Sequence, residues 1–272
     1  MVIPNLPRSH FVNPELRDST GKQLVFVTNN STKSRNDYKK KFDKVGIPNV
    51  TAEEVFGSSY SAAIYISRIL RLQPPHNKVF VLGESGIEQE LVSEGIPYVG
   101  GTDTSLRRDI EQQDYDDIAS GKMLDDDVGV VLIGLDFHIN YLKMAIAQAY
   151  LRRGAVFLAT NIDSTLPMNG SFFPGAGAVG AGIVKAHGKD PVPLGKPSQA
   201  MMEAIEGKFH FDKRRTCMVG DRLNTDIQFG IEGGLGATLM VLTGVSTKEE
   251  ILTEGAPVVP TAYVDTLGDL LV

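Results

Sequence analysis

The chain lacks the features that mark several protein classes. It has one cysteine, Cys217, in 272 residues, and no tryptophan. A single thiol closes no internal disulfide, so the fold must rest on packing, and a reducing compartment is the default setting. The surroundings of Cys217, "RRTCMVGD", read as buried strand. No apolar run approaches the roughly 18 residues of a membrane-spanning helix. The opening "MVIPNLPRSHF" carries prolines where a secretory leader would need unbroken apolar sequence. Basic residues are outnumbered: 27 Lys and Arg against 33 Asp and Glu leave a formal charge of −6. That charge argues against nucleic acid or an anionic membrane as partner, although a local cationic pocket stays open. A cytoplasmic protein, with the nucleus as the other setting, is the expectation.

What remains is an ordinary globular composition, 42% hydrophobic and 22% charged, enough for one large domain or two modest ones. Six apolar runs read as doubly covered parallel strands: Leu24–Thr28, Lys78–Leu82, Val128–Ile133, Ala155–Ala159, Thr216–Val219 and Thr238–Leu242. Helical stripes alternate with them. Tyr38, Phe42 and Val45 make one, with Gly46 where the helix would stop. Ala62, Ile66, Ile69 and Leu70 make a second, and Tyr141, Met144, Ala145, Gln148 and Leu151 a third. This alternation predicts an α/β fold, in which ligands collect at the carboxyl ends of the strands. The stretch 103–127 is acidic and short of apolar residues, and reads as a solvated surface excursion rather than catalytic carboxylates.

Three strand ends carry candidate chemistry. In "QLVFVTNNSTKSR" an apolar strand leaves through Thr28, Asn29 and Asn30, with Ser31 as the expected cap of a helix from about Thr32. A hydroxyl, amide donors and a helix start suit a phosphate; a well-capped turn is the alternative. In "TCMVGDRLNTDIQFG" a strand ends at Gly220 and Asp221, and Asp226 follows inside a helix start. Asp221 suits a hard cation such as Mg²⁺, which takes oxygen ligands; a plain helix cap is the alternative. In "PLGKPSQAMMEAI", Pro197 fits a first helical turn, but structure alone gives Lys196 no reason to be there. A lysine held there would neutralise phosphate or balance carboxylates.

In this order, hydroxyl–Asn, Lys and Gly-Asp-x4-Asp resemble motifs two, three and four of the haloacid dehalogenase superfamily of phosphatases. The strings "VFVTNNSTKSR", "GESGI", "TNIDSTLP", "FPGAG", "GKPS" and "VGDRLNTDI" are similar to its p-nitrophenylphosphatase and phosphoglycolate phosphatase branch, from about Gly21 to the C-terminus. The resemblance implies a Rossmann-like core, residues 1–77 and 195–272, with an inserted C2-type cap at 78–194. It implies that Thr28 and Asn29 bind the transferring phosphoryl group and that Lys196 stabilises it and the nucleophile. Asp221 would ligate Mg²⁺ and Asp226 would support the site from behind. Asn161 and Asp163, at a strand end of the cap, would contact substrate or core, with local loop hydrogen bonding as the alternative. The expected partner is a small phosphorylated metabolite, and cap-mediated homodimers belong to the same expectation.

One part of the family pattern is not found. Its first motif, an Asp-x-Asp ending the first core strand, supplies the attacking carboxylate. The only aspartate before Leu24 is Asp18, which no apolar strand precedes. That strand would lie in mid-sheet, and its loss would strand the backbone groups of two neighbours. The expectations are therefore an incomplete form of an active enzyme, inactive as it stands, with no measurable Mg²⁺ binding unless phosphate is present. A non-catalytic protein that binds phosphometabolites is the alternative.

Overall fold

The structure, a computed structural model, describes residues 22–47 and 49–270; Asp18 lies outside them. Strands and helices alternate almost throughout. In chain order they are β1 (Phe26–Thr28), α1 (Arg35–Lys44), β2 (Val55–Gly57), α2 (Ser58–Ile64), β3 (Lys78–Leu82), α3 (Ser85–Ser93) and β4 (Tyr98–Gly100). Then come α4 (Gln112–Ser120), β5 (Val128–Ile133), α5 (Tyr141–Arg152), β6 (Val156–Ala159), a β7–β8 hairpin (Thr165–Met168, Ser171–Pro174), α6 (Ala176–His187) and β9 (Val192–Pro193). The chain closes with α7 (Gln199–Phe209), β10 (Cys217–Gly220), α8 (Gln228–Glu232), β11 (Ala237–Val241), α9 (Lys248–Leu252) and β12 (Ala262–Val264). No described helix is long and apolar enough to cross a membrane.

The chain divides into two compact units. The first comprises the described residues up to Thr28, then Tyr38–Phe56, then the chain from Lys196 onward. The second comprises Asn29–Asp37 and Gly57–Gly195. In the second unit five strands form one all-parallel sheet in the order β4-β3-β5-β6-β9. Its central strands are buried on both faces, which is why Val79–Leu82 and Val130–Ile133 are apolar without alternation. Phe80, Leu82, Val131 and Ile133 meet Leu142, Ile146 and Tyr150 of α5 in the core of this unit. In the first unit β10, β11 and β12 pair in parallel, and β1 pairs with β2; among the described residues these are two separate sheets. The α/β fold on parallel sheets is thus the fold the chain adopts.

Four local expectations give way. Helix α1 begins at Arg35, not near Thr32, and Ser31 does not cap it. Ser34 does: its hydroxyl accepts from the Asp37 N–H at 3.3 Å, and the Asp37 carboxylate accepts from the Ser34 hydroxyl at 3.1 Å. Asn30 instead turns the chain, its Oδ1 accepting from the Thr32 N–H at 2.9 Å. Pro197 precedes α7, joined to Lys196 by a cis bond, rather than sitting in its first turn. Cys217 opens β10 on an exposed position.

The fourth concerns α5, whose buried face is Leu142, Ile146, Ala147, Tyr150 and Leu151. Of the predicted stripe only Leu151 is in it. Tyr141 is 62% exposed, and Met144, Ala145 and Gln148 line an open groove of about 510 Å³ with residues of α4 and α6. Two adjacent faces of α5 are apolar, so periodicity alone does not choose between them. The acidic stretch is also less loose than its composition suggests. Arg108 grips Asp114 with both arms at 2.6 Å, which holds that carboxyl down at about 2. Leu106, Ile110 and Ile118 from the same stretch pack against the core.

Candidate active site

At the carboxyl end of β10 the chain turns through Gly220 and Asp221 into a wide turn over Leu223–Ile227, in which the Ile227 N–H reaches back five residues to the Arg222 carbonyl at 3.2 Å. This turn brings the Asp226 side chain back over Gly220. A Cβ at position 220 would strike the Asp226 Cβ and its carboxylate, so the glycine is required for space and not for its backbone angles. Asp226 Oδ2 accepts from the N–H groups of Asp221 and Arg222 at 3.1 and 3.2 Å. Its Oδ1 accepts from Lys196 Nζ at 2.5 Å. Both side chains are buried, and Lys196 also donates to the Val27 carbonyl of β1 at 3.1 Å. Burial would raise the Asp226 pKa, but the charge and hydrogen bond of Lys196 and the Asp221 amide outweigh it and hold the carboxyl below its ordinary range.

Asp221 is placed differently. Its Oδ2 accepts from the Val245 N–H at 3.1 Å, and its carbonyl from Ser246 at 3.0 Å. For Oδ1 no donor occurs among the described residues. Burial, then the negative charge of Asp226, push its pKa above the ordinary carboxylate value; the Val245 amide and Lys196 only partly offset them. Gly244 makes this possible, since a Cβ there would collide with Asp221 Oδ2. Sequence reasoning passed over Gly244. Its only signal was a glycine shortly after a predicted strand that ends near the candidate site.

Thr28 ends β1, 6% exposed, with its hydroxyl 3.2 Å from the Tyr38 hydroxyl. Tyr38, first read only as part of an apolar stripe, is thus also a polar neighbour of a candidate phosphate ligand. Burial raises its phenol pKa, and the Thr28 contact opposes this. A buried tyrosine on a helix face near a strand end was the available signal, because a buried phenol needs a partner.

The structure therefore gathers Lys196, Asp226 and Asp221 into one cluster in the first unit, with Thr28 one residue from a Lys196 contact. Asn29, Asn161 and Asp163 are gathered in the second unit. Asn29 Nδ2 donates to both Asp163 oxygens at 3.1 and 3.2 Å, and Asn161 Nδ2 donates to the Asn29 carbonyl at 2.7 Å. No group of three or more His, Cys, Asp or Glu side chains suited to a metal occurs among the described residues. Asp221 still fits a hard cation: it is a buried carboxylate with one oxygen uncommitted there and a negatively charged neighbour.

Known proteins match the chain over nearly its whole length. It is 49% identical to a 4-nitrophenylphosphatase of Schizosaccharomyces pombe, covering 94% of this chain and 84% of that one. It is 40% identical to the chloroplastic phosphoglycolate phosphatase 1A of Arabidopsis thaliana, over 95% and 70%, and 38% identical to a glycerol-3-phosphate phosphatase of Gallus gallus, over 93% and 81%. Among solved structures, a hypothetical protein from Pyrococcus horikoshii superposes with a TM-score of 0.78 at 33% identity, over 94% and 88% of the two chains. A glycerol phosphate phosphatase from Mycobacterium tuberculosis, in complex with calcium, does so at 0.73 and 28% identity, over 97% and 72%. Residues 10–97 match the model of the haloacid dehalogenase-like hydrolases, and residues 193–270 a second, HAD-hydrolase-like model. With half of its residues shared with a relative it nearly spans, the chain belongs to the haloacid dehalogenase-like hydrolase family.

Proposed function

We propose that the protein hydrolyses small phosphate monoesters with the help of Mg²⁺, through a transient aspartyl-phosphate. The observation that carries this reading is the buried Lys196–Asp226 pair beside a second carboxylate, Asp221, at the carboxyl end of β10. A phosphoryl group is the ligand such a cluster suits: an anion for the lysine, and oxygens to share a cation with Asp221. Thr28 would receive the phosphoryl group at the end of β1. Lys196 would neutralise its charge, and Asp226 would hold that lysine in place. A cation on Asp221 would offset the charge that develops on the phosphoryl oxygens. The relatives support small anionic esters as substrates: p-nitrophenyl phosphate, phosphoglycolate and glycerol phosphate. They lend no support to a non-catalytic binding role.

In this reading residues 78–194 act as a C2-type cap that selects the ester. Homodimers through that cap are part of the proposal, and the exposed Phe172 and Phe173 of β8 are apolar surface available to them. The attacking carboxylate is not among the residues assigned above. The test is release of p-nitrophenolate, with MgCl₂ or with a chelator, by the 272-residue chain and by a version preceded by a strand ending in Asp-x-Asp. The version with the strand is expected to turn over only with metal. The shorter chain is expected to be slower by about 10⁴-fold or more, since water must attack unaided. Comparable turnover by the shorter chain, abolished by Asp18→Asn, would overturn this account of the nucleophile.

A further inference from the structure

Asn29 follows Thr28 directly, yet its side chain is fully engaged elsewhere. Both oxygens of Asp163, 134 residues away, accept from its Nδ2. Its carbonyl accepts from Asn161 Nδ2 and from Ser58 Oγ, each at 2.7 Å. Asn161 Oδ1 in turn accepts from the Asp163 N–H at 3.1 Å, so the group that holds Asn29 is itself tied together. Two glycines let the backbone close around it. A Cβ at Gly195 would press on Asn29 Oδ1 at 2.8 Å and on Asn161 Cβ at 3.0 Å, and one at Gly175 would strike the Asp163 carbonyl. Farther along the same segment, Glu90 accepts from the Arg35 N–H at 2.6 Å and from its Nε at 2.9 Å, and the Arg35 guanidinium lies 3.5 Å over the Tyr60 ring.

Two arguments separate this clamp from a substrate contact. The Asp163 carboxylate is an acceptor with both oxygens occupied, and it would repel a phosphate dianion rather than bind it. The amide of Asn29 points its donors at Asp163, so any help it gives a phosphoryl group comes through the backbone. Because the peptide unit is planar, two donors on the Asn29 carbonyl also fix the plane that carries the Asn30 N–H. We propose that Asp163 is a positioning residue of the phosphoryl site: through Asn29 it sets the turn after Thr28 in the conformation that receives phosphate. The inference rests on the phosphatase reading above.

The test compares Asp163→Ala, Asn29→Ala and the double variant, with Asp163→Asn as the conservative change. The form found active in the turnover assay is used, and folding is checked by circular dichroism. Two quantities are read: binding of inorganic phosphate by calorimetry, and KM against kcat for p-nitrophenyl phosphate. Asp163→Ala should weaken phosphate binding and raise KM by about tenfold or more, with kcat within about threefold, as expected for lost binding common to ground and transition states. Asp163→Asn keeps an acceptor and should recover most of the loss. The double variant should be no worse than the worse single one, because Asp163 acts only through Asn29. Unchanged phosphate affinity in folded Asp163→Ala, or penalties that add in the double variant, would overturn the inference. If Asp163→Ala does not fold, Asp163→Ser, too short to reach the Asn29 amide, takes its place in the same comparison. Failure of the unaltered protein to bind phosphate would instead overturn the reading of the whole site, and this inference with it.

Discussion

Each unit of the molecule buries one lysine against one aspartate near the carboxyl ends of its parallel strands. Lys143 and Asp136 meet at 2.8 Å in the second unit, and Lys196 and Asp226 at 2.5 Å in the first. The pairs differ in what surrounds them. Lys143 also donates to the Gly101 carbonyl at 3.1 Å, and the free oxygen of Asp136 accepts from the His138 N–H at 2.7 Å. That pair is closed, fully buried, and ties the loops after β4 and β5 together. Lys196 and Asp226 are as well buried, but Asp221 stands beside them with its own carboxyl pushed upward by burial and by the charge of Asp226. A buried ion pair alone is therefore a fastening. It becomes part of a site when a further charged group is left for something outside the protein to satisfy.

Exchanging the two lysines for methionine, one at a time, would break this comparison most forcefully. Made in the form found active in the turnover assay, as are the variants below, Lys196→Met should lower kcat/KM for p-nitrophenyl phosphate by about 10³-fold, the scale of a lost electrostatic contact to the transferring group. Lys143→Met should leave a buried Asp136 without its partner and cost about 3–5 kcal/mol. Its signature is an earlier urea midpoint, with kcat/KM of the folded fraction within a few-fold of the parent. Equal losses of activity from both changes would erase the distinction.

Gly244→Ala is a finer probe, because it touches only the odd carboxylate. The added methyl group would displace Asp221 without removing any charge. A drop in kcat/KM of about 10²-fold is expected, the effect of misplacing a group by about 1 Å. The Mg²⁺ concentration needed for half-maximal rate should rise alongside it. A variant with parental metal dependence would show that Asp221 is not the group that meets the cation.

Much of the architecture was legible from short-range pattern. The runs at Lys78–Leu82 and Val128–Ile133 are strands with those limits, because the buried stretch of a strand covered on both faces, here Val79–Leu82 and Val130–Ile133, is apolar without alternation. Leu24–Thr28 shortened to Phe26–Thr28, and Thr216–Val219 moved by one residue to Cys217–Gly220, since apolar composition does not locate hydrogen-bonded ends. The exposure of Cys217 was hidden for a related reason. It stands at the mouth of its strand, where the pattern "TCMVG" cannot tell the first residue from the interior.

The sequence by itself determined that Thr28 closes one strand, that Asp221 follows another directly and that Asp226 lies five residues further on, because a buried apolar run announces itself and the spacing is covalent. It also determined that Lys196 precedes a helix. Only the tertiary structure decided that Lys196 pairs with Asp226 and leaves Asp221 over, that Gly220 and Gly244 are glycines to make room for those carboxylates, and that Asn29 is held by Asp163. These are contacts between segments far apart in the chain. Local propensity carries no information about them, since they exist only once distant segments have been folded together within each unit and their side chains compete for the same space and the same donors.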